Sequence, residues 1–307
     1  MDDNARSESG NEIEPKVDAA DTAAETLPVA VERLHMIVLP TLSMVMVAIL
    51  IYVGVTGGLS NAFWYGAVVC HLVSLFVFKN FVAALTYGYG LALIALSVLT
   101  AVFYAPGLEA QFALAAVFAY GLRMTVFTWR RERHGGYKRR KGENKSLDSK
   151  LGIPARIGIW LGVAWMYACY AFPLQMTTRE SASTTMLWVA GTLAWLGLFL
   201  EIAADRQKWL FKVKHGDRFC DVGLYRLCRF PNYAAEIVFQ CGILVAGLAG
   251  AIGWMDFAAA SVVPIIMFVV MAGQVLTLRF EQKARYKDVD GFAEYTKRTP
   301  ALLPKFF

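Results

Sequence analysis

Asn232, Glu236 and Gln240 recur at four-residue intervals in PNYAAEIVFQCG, so on a helix all three share one face. Pro231 suits the first helical turn, where its missing N–H goes unmissed, and this puts Glu236 roughly 7 Å inside the helix start. The run stays apolar to about residue 250, and a carboxyl group that deep in a membrane costs a few kcal/mol unless it faces a cavity or a partner. Tyr225, Arg226, Arg229 and Tyr233 stand just ahead of it or in its first turn. Elsewhere Glu201, Asp205 and Lys208 occupy adjacent turns of one face, Gln274 and Glu281 are seven apart, and Arg123 lies about two turns from the end of its apolar run. An interhelical ion pair, such as Arg123 or Arg229 with Glu236, would account for any one of these. As a set, four helices bring polar groups to the same membrane side, which describes a pocket with arginines and a helix N-terminus offering an anion site. Such a pocket suits a nucleotide, with phosphates at the mouth and hydroxyl or amide groups deeper in.

Other chemistry-bearing residues are sparser. His71 is the mid-membrane histidine, for which interhelical bonding is the default reading, while His35, His134 and His215 read as interface or loop residues. Trp64, Tyr65, Tyr87 and Tyr89 read first as aromatic packing and second as the lining of a substrate cavity. No feature places a base beside a nucleophile. Five scattered cysteines suggest no disulfide framework, and Cys220 with Cys228 lacks zinc-ligand spacing, so no metal is expected.

Helices must position these groups. The 307 residues are 57% hydrophobic and 18% charged, with a mean hydropathy of +0.46, against about 25% charge in soluble domains. Eight apolar stretches are each about long enough to span a bilayer: 34–54, 61–78, 81–104, 110–129, 155–175, 183–203, 231–250 and 258–278. The expected fold is therefore an all-α polytopic bundle of seven or eight transmembrane helices. The loop 130–154 carries nine Lys or Arg, 204–222 carries five and the chain after Leu278 seven, while the alternate loops carry Arg179 alone. That asymmetry predicts cytoplasmic termini and basic loops. A bacterial inner membrane is the expected location. Contact with anionic lipid explains the net charge of +6 without nucleic acid. Residues 1–33 hold nine Asp or Glu and no aromatic residue, which reads as a disordered acidic tail without a secretory signal. The transmembrane part divides into N-terminal helices over 34–105 and a core with basic loops and a short amphipathic tail over 106–307. No GxGxxG or GxxxxGK[ST] occurs, so a nucleotide must bind within the bundle.

LFLEIAADRQKWLFK (198–212) followed by GLYRLCRFPNYAAEIVFQCG (223–242) resembles the steroid 5α-reductase superfamily, and specifically its large bacterial branch of mostly unassigned substrate. YGLRMTVFTWRRER (120–133), YAFPLQ (170–175) and FAEYTKRTPALLP (292–304) are similar to further family segments, so the likeness covers roughly residues 110–307. The resemblance implies an integral-membrane oxidoreductase that uses NADPH to reduce a carbon–carbon double bond conjugated to a carbonyl, in a steroid-like or other lipid substrate. By motif position it makes Asp205, Arg229, Asn232 and Glu236 cofactor contacts, joined by Tyr225, Arg123 and Tyr295; Arg226 completes the arginine pair for phosphates.

Hydride delivery to the β-carbon builds negative charge on the carbonyl oxygen, and a donor must stabilise it. In the family a Tyr and a Glu of the earlier helices hold that carbonyl. Here no acidic residue lies between Arg33 and Glu109, which leaves Tyr87, Tyr89 or His71 as the candidate donors. Phe230 replaces the usual His, and Ala234-Ala235 replaces Phe-Gly. A second reading is an S-adenosylmethionine-dependent methyltransferase of the isoprenylcysteine carboxyl methyltransferase type, whose Arg-His-Pro-x-Tyr element GLYRLCRFPNY also resembles. The Asp205-Arg206-Gln207 segment and Asn232 with Glu236 favour the reductase. A transporter or assembly factor is the remaining class, but the polar groups are one-sided and no repeat halves are visible.

Overall fold

Ser60 ends a loop and starts a helix: its Oγ accepts from the N–H of Phe63, satisfying one of the donors a helix N-terminus leaves open. The same device at Ser183 and prolines in the first turns at Pro154 and Pro231 start three further helices. The chain is described here from a computed structural model covering residues 41, 44–56, 58–80, 83–133 and 151–302. Its helices are α1 (Met44–Val55), α2 (Asn61–Ser74, extended by a 3₁₀ turn Leu75–Phe78), α3 (Tyr89–Tyr104, entered through a π turn Ala84–Gly88) and α4 (Leu108–Arg133). They continue with α5 (Ile153–Ala168), α6 (Ala171–Met176), α7 (Thr184–His215), α8 (Leu224–Leu227), α9 (Pro231–Ala249), α10 (Trp254–Tyr286) and α11 (Phe292–Arg298). No strand occurs among the described residues.

Among the described residues, seven helical stretches are long and apolar enough to cross a membrane, and the protein is an all-α integral membrane bundle. The first expected span is described only in part, as the shorter α1. Lys79 and Asn80 separate two spans, and α2 packs back against α3 as a hairpin. The acidic segment 1–33 and most of the basic loop, 134–150, lie outside the described residues.

The helix ends differ from expectation. α7 runs to His215 and α10 to Tyr286, well past 203 and 278, because hydropathy marks where lipid ends and not where hydrogen-bonded turns end. The fifth span is broken at Cys169–Tyr170 into α5 and α6. Within the bundle α9 packs chiefly on α7 and also on α10 and α6, while α4 lies against both α3 and α7. α7 and α9 approach so closely that a Cβ on Gly197 would stand 2.5 Å from the Phe239 nitrogen and 2.8 Å from the Ala235 oxygen. Small residues at such a crossing let backbones touch where lipid offers no hydrophobic drive.

Candidate functional site

The two irregular turns meet at one place. The π turn delivers Tyr89 at the head of α3, and the α5–α6 break delivers Tyr170. The Tyr167 hydroxyl donates to the carbonyl of Ala84, 3.2 Å away, so the irregular backbone is satisfied by a side chain, as a membrane interior demands. Opposite them stands the polar face of α9. Glu236 is 5% exposed and Gln240 fully buried. The Gln240 Nε2 donates to Glu236 Oε1 at 2.8 Å and lies 2.8 Å from the Tyr89 hydroxyl and 3.0 Å from that of Tyr170. The Tyr89 hydroxyl donates to Glu236 Oε1 at 3.3 Å and lies 3.2 Å from Tyr170's, which in turn donates to Gln240 Oε1 at 3.2 Å. Tyr120 of α4 stacks on Phe239 with centroids 3.8 Å apart and closes the aromatic wall beside Tyr89.

A second polar group lies nearer the basic ends of the helices. Arg123 of α4 pairs with Glu201 at 2.6 Å and also with Asp205, both on α7. The alternative of an Arg123–Glu236 ion pair is not what forms: the carboxylates four residues apart on α7 engage the guanidinium, and Glu236 bonds to tyrosine and glutamine instead. Gln207 Oε1 accepts from the Leu224 N–H at 2.9 Å, which sets the start of α8 against α7. Burial, and then the nearby carboxylate of Asp205, raise the Tyr225 phenol above its ordinary range. Arg229, 8% exposed, has its pKa lowered first by burial and then by the like charge of Arg279.

The C-terminal segment ties this region down. The N–H groups of Arg229 and Phe230 donate to the carbonyls of Pro300 and Ala301 at 2.9 and 3.1 Å, and the Tyr295 hydroxyl donates to the Tyr225 carbonyl at 2.8 Å. Tyr295 also stacks on Phe219, so its visible task is to hold the α8 loop. Among the described residues, Glu201 Oε2, the Tyr225 hydroxyl, Arg229 Nε and Thr299 Oγ1 are buried polar atoms with no hydrogen-bond partner. A buried polar atom left unbonded costs about 1–3 kcal/mol, so the set fits a ligand rich in hydroxyl and phosphate oxygens.

The residues expected to do chemistry are thus divided. Tyr89 joins Glu236; Tyr225, Arg229 and Tyr295 gather at the C-terminal segment; Arg123 and Asp205 form the ion-paired group. Asn232 is half-buried in the first turn of α9, and Arg226 is exposed. Gln274 and Glu281, expected to face the pocket from the last span, are both exposed. Tyr87 donates to Glu132 at 2.9 Å in an exposed contact, and His71 packs against Trp160 and Trp165, so neither stands with Tyr89. Sequence reasoning did not single out Tyr170. Its only signal was its place at the head of YAFPLQ, a segment with one proline and no polar spacing.

A family profile described as a protein of unknown function, DUF1295, matches residues 73–299 of the chain. No curated protein and no solved structure matches it.

Proposed function

The chain belongs to the DUF1295 family, and on that premise we propose that it is an integral-membrane reductase that uses NADPH to saturate a double bond conjugated to the carbonyl of a steroid-like or other lipid substrate. The observation that carries this reading is the buried contact of the Tyr89 hydroxyl with Glu236 and Gln240. The resemblance implies a Tyr and a Glu at the substrate carbonyl, yet the early spans hold no acidic residue; here α9 brings the carboxyl group to Tyr89 across the bundle.

NADPH would be held by Asn232, Glu236, Arg229, Tyr225 and the Asp205 group, and would supply the hydride. Tyr89 would donate its proton to the carbonyl oxygen as negative charge grows there. The resulting enol would ketonise by taking a proton from solvent at its α-carbon as the O–H proton returns to the Tyr89 oxygen. The Gln240 N–H, 2.8 Å from the Tyr89 oxygen, stabilises that oxygen as its proton shifts, and Tyr170 extends the chain of donors. Burial of all four side chains keeps water from competing for these bonds. The excess of Lys and Arg in the loops supports a cytoplasmic position for the nucleotide end of the pocket.

Titrating NADPH, NADH and S-adenosylmethionine into detergent-purified protein by calorimetry tests this. Micromolar NADPH binding with much weaker NADH is the expected result, and Glu236→Gln and Asn232→Ala each weaken it by about tenfold, equivalent to about 1.4 kcal/mol. Tyr89→Phe leaves binding intact and removes turnover of enone lipids. Binding of S-adenosylmethionine alone would replace the reductase by a methyltransferase.

A further inference from the structure

Between α2 and α5 lies a groove of about 290 Å³ lined by Trp64, Ala67, His71, Trp160 and Trp165. Val68 and Leu72 at its rim are 59% and 60% exposed and face lipid. His71 is held in one orientation. Its Nδ1 lies 2.8 Å from the Ala67 carbonyl oxygen, and because a carbonyl only accepts, Nδ1 carries the proton. With a proton on Nδ1, Nε2 is the ring nitrogen left to accept a hydrogen bond. Trp165 and Trp160 pack edge-on at 4.8 and 5.6 Å, and the Trp160 Nε1 donates to the His71 carbonyl at 2.9 Å, which fixes α5 to α2 at this level. Among the described residues, no charged side chain lines the groove. His71 stands eight residues before Lys79, roughly 12 Å below that end of the span at 1.5 Å per residue. A charged lipid headgroup is costly at that depth, whereas a single hydroxyl with a waiting acceptor is not.

We propose that this groove binds an uncharged amphiphile with one hydroxyl group, a sterol-like or isoprenoid alcohol, whose O–H donates to Nε2 of His71 while its apolar body lies along Trp64, Val68 and Trp165. From Trp64 to Leu75 the groove extends roughly 16 Å, about half the hydrocarbon thickness, which matches one leaflet's worth of apolar chain or fused ring. The acceptor dictates the chemistry: a ketone of the same skeleton has no hydrogen to give. The groove's lining includes none of Tyr89, Tyr170, Glu236 and Gln240, and the proposal does not rest on the reductase reading.

The test uses the full-length protein in lipid nanodiscs, labelled with a diazirine-bearing long-chain alcohol and with the matched ketone, the labelled peptides being mapped by mass spectrometry. The alcohol is expected to label residues 64–75 about fivefold more than the ketone, the difference one hydrogen bond makes. His71→Phe keeps the ring shape and removes that preference. Val68→Trp fills the groove from the lipid side, leaves His71 and its bond to Ala67 in place, and removes labelling by both probes. Equal labelling by alcohol and ketone, a preference that survives in His71→Phe, or undiminished labelling in Val68→Trp would each overturn the proposal. Should His71→Phe fail to fold, the matched probes on the parent and on Val68→Trp decide it alone.

Discussion

Gln240 has two amide hydrogens and three oxygens within reach of them: Glu236 Oε1 and the hydroxyls of Tyr89 and Tyr170. The tyrosines complete the count by donating onward, Tyr89 to Glu236 and Tyr170 back to the Gln240 oxygen. Removing the amide thus leaves several buried groups short at once. Gln240→Leu is expected to cost about 2–4 kcal/mol, since each stranded group carries about 1–3 kcal/mol and part is recovered by tyrosine–tyrosine bonding. Thermal unfolding in detergent would show it. A double-mutant cycle with Glu236→Gln should give coupling of about 0.5–3 kcal/mol, and strict additivity would mean that the two side chains act separately. Half of this arrangement was readable beforehand: the four-residue spacing of Asn232, Glu236 and Gln240 fixes one face whatever surrounds it. The other half was not, because Tyr89 meets Tyr170 across 81 residues, and no local pattern encodes which aromatic faces which.

Two glycines set how close α7 and α9 come. A Cβ at Gly242 would stand 2.8 Å from both the Ala190 oxygen and the Ala194 nitrogen, as one at Gly197 would crowd Ala235 and Phe239. Ala235 directly precedes Glu236, so pushing the helices apart at Gly197 also moves the carboxyl group away from Tyr89. Gly197→Ala is therefore expected to lose about 1–3 kcal/mol by overpacking and to weaken NADPH binding together with stability. Gly158, whose added Cβ meets nothing within 4 Å, is the control: Gly158→Ala should change neither. A Gly197→Ala protein that binds like the parent would show that the crossing is merely structural. Helix identity was legible from apolar runs of span length, but helix length was not. α7 and α10 continue through Lys212 and Lys283, where the sequence turns polar while backbone bonding and contacts among helices persist. The π turn and the α5–α6 break also left no mark, since both occur within continuous apolar text.

At the scale of the molecule, the last residues close the structure on the side where the basic segments gather. Phe219, Tyr286, Phe292 and Tyr295 form one aromatic cluster, and residues 300–301 bond the backbone of Arg229 and Phe230. Beneath this cap lie Cys220 and Cys228, whose thiols are pushed above their ordinary range by burial in the first place. A thiol that holds its proton more tightly folded than unfolded stabilises the protein below the ordinary thiol pKa of about 8.5, and that contribution fades as pH rises through the folded value. Since the thiolate is the reactive form, both residues should alkylate slowly at pH 8 in a variant whose remaining cysteines are alanine. Truncation after Asp290 removes α11 and the 300–301 bonds. It should raise the alkylation rate about tenfold or more, with the pH midpoint of reactivity falling toward 8.5. If the cap is rather a loosely docked appendage, rate and midpoint will stay where they were, and the Tyr225 and Arg229 groups it is argued to fix must be held by α7 and α9 alone.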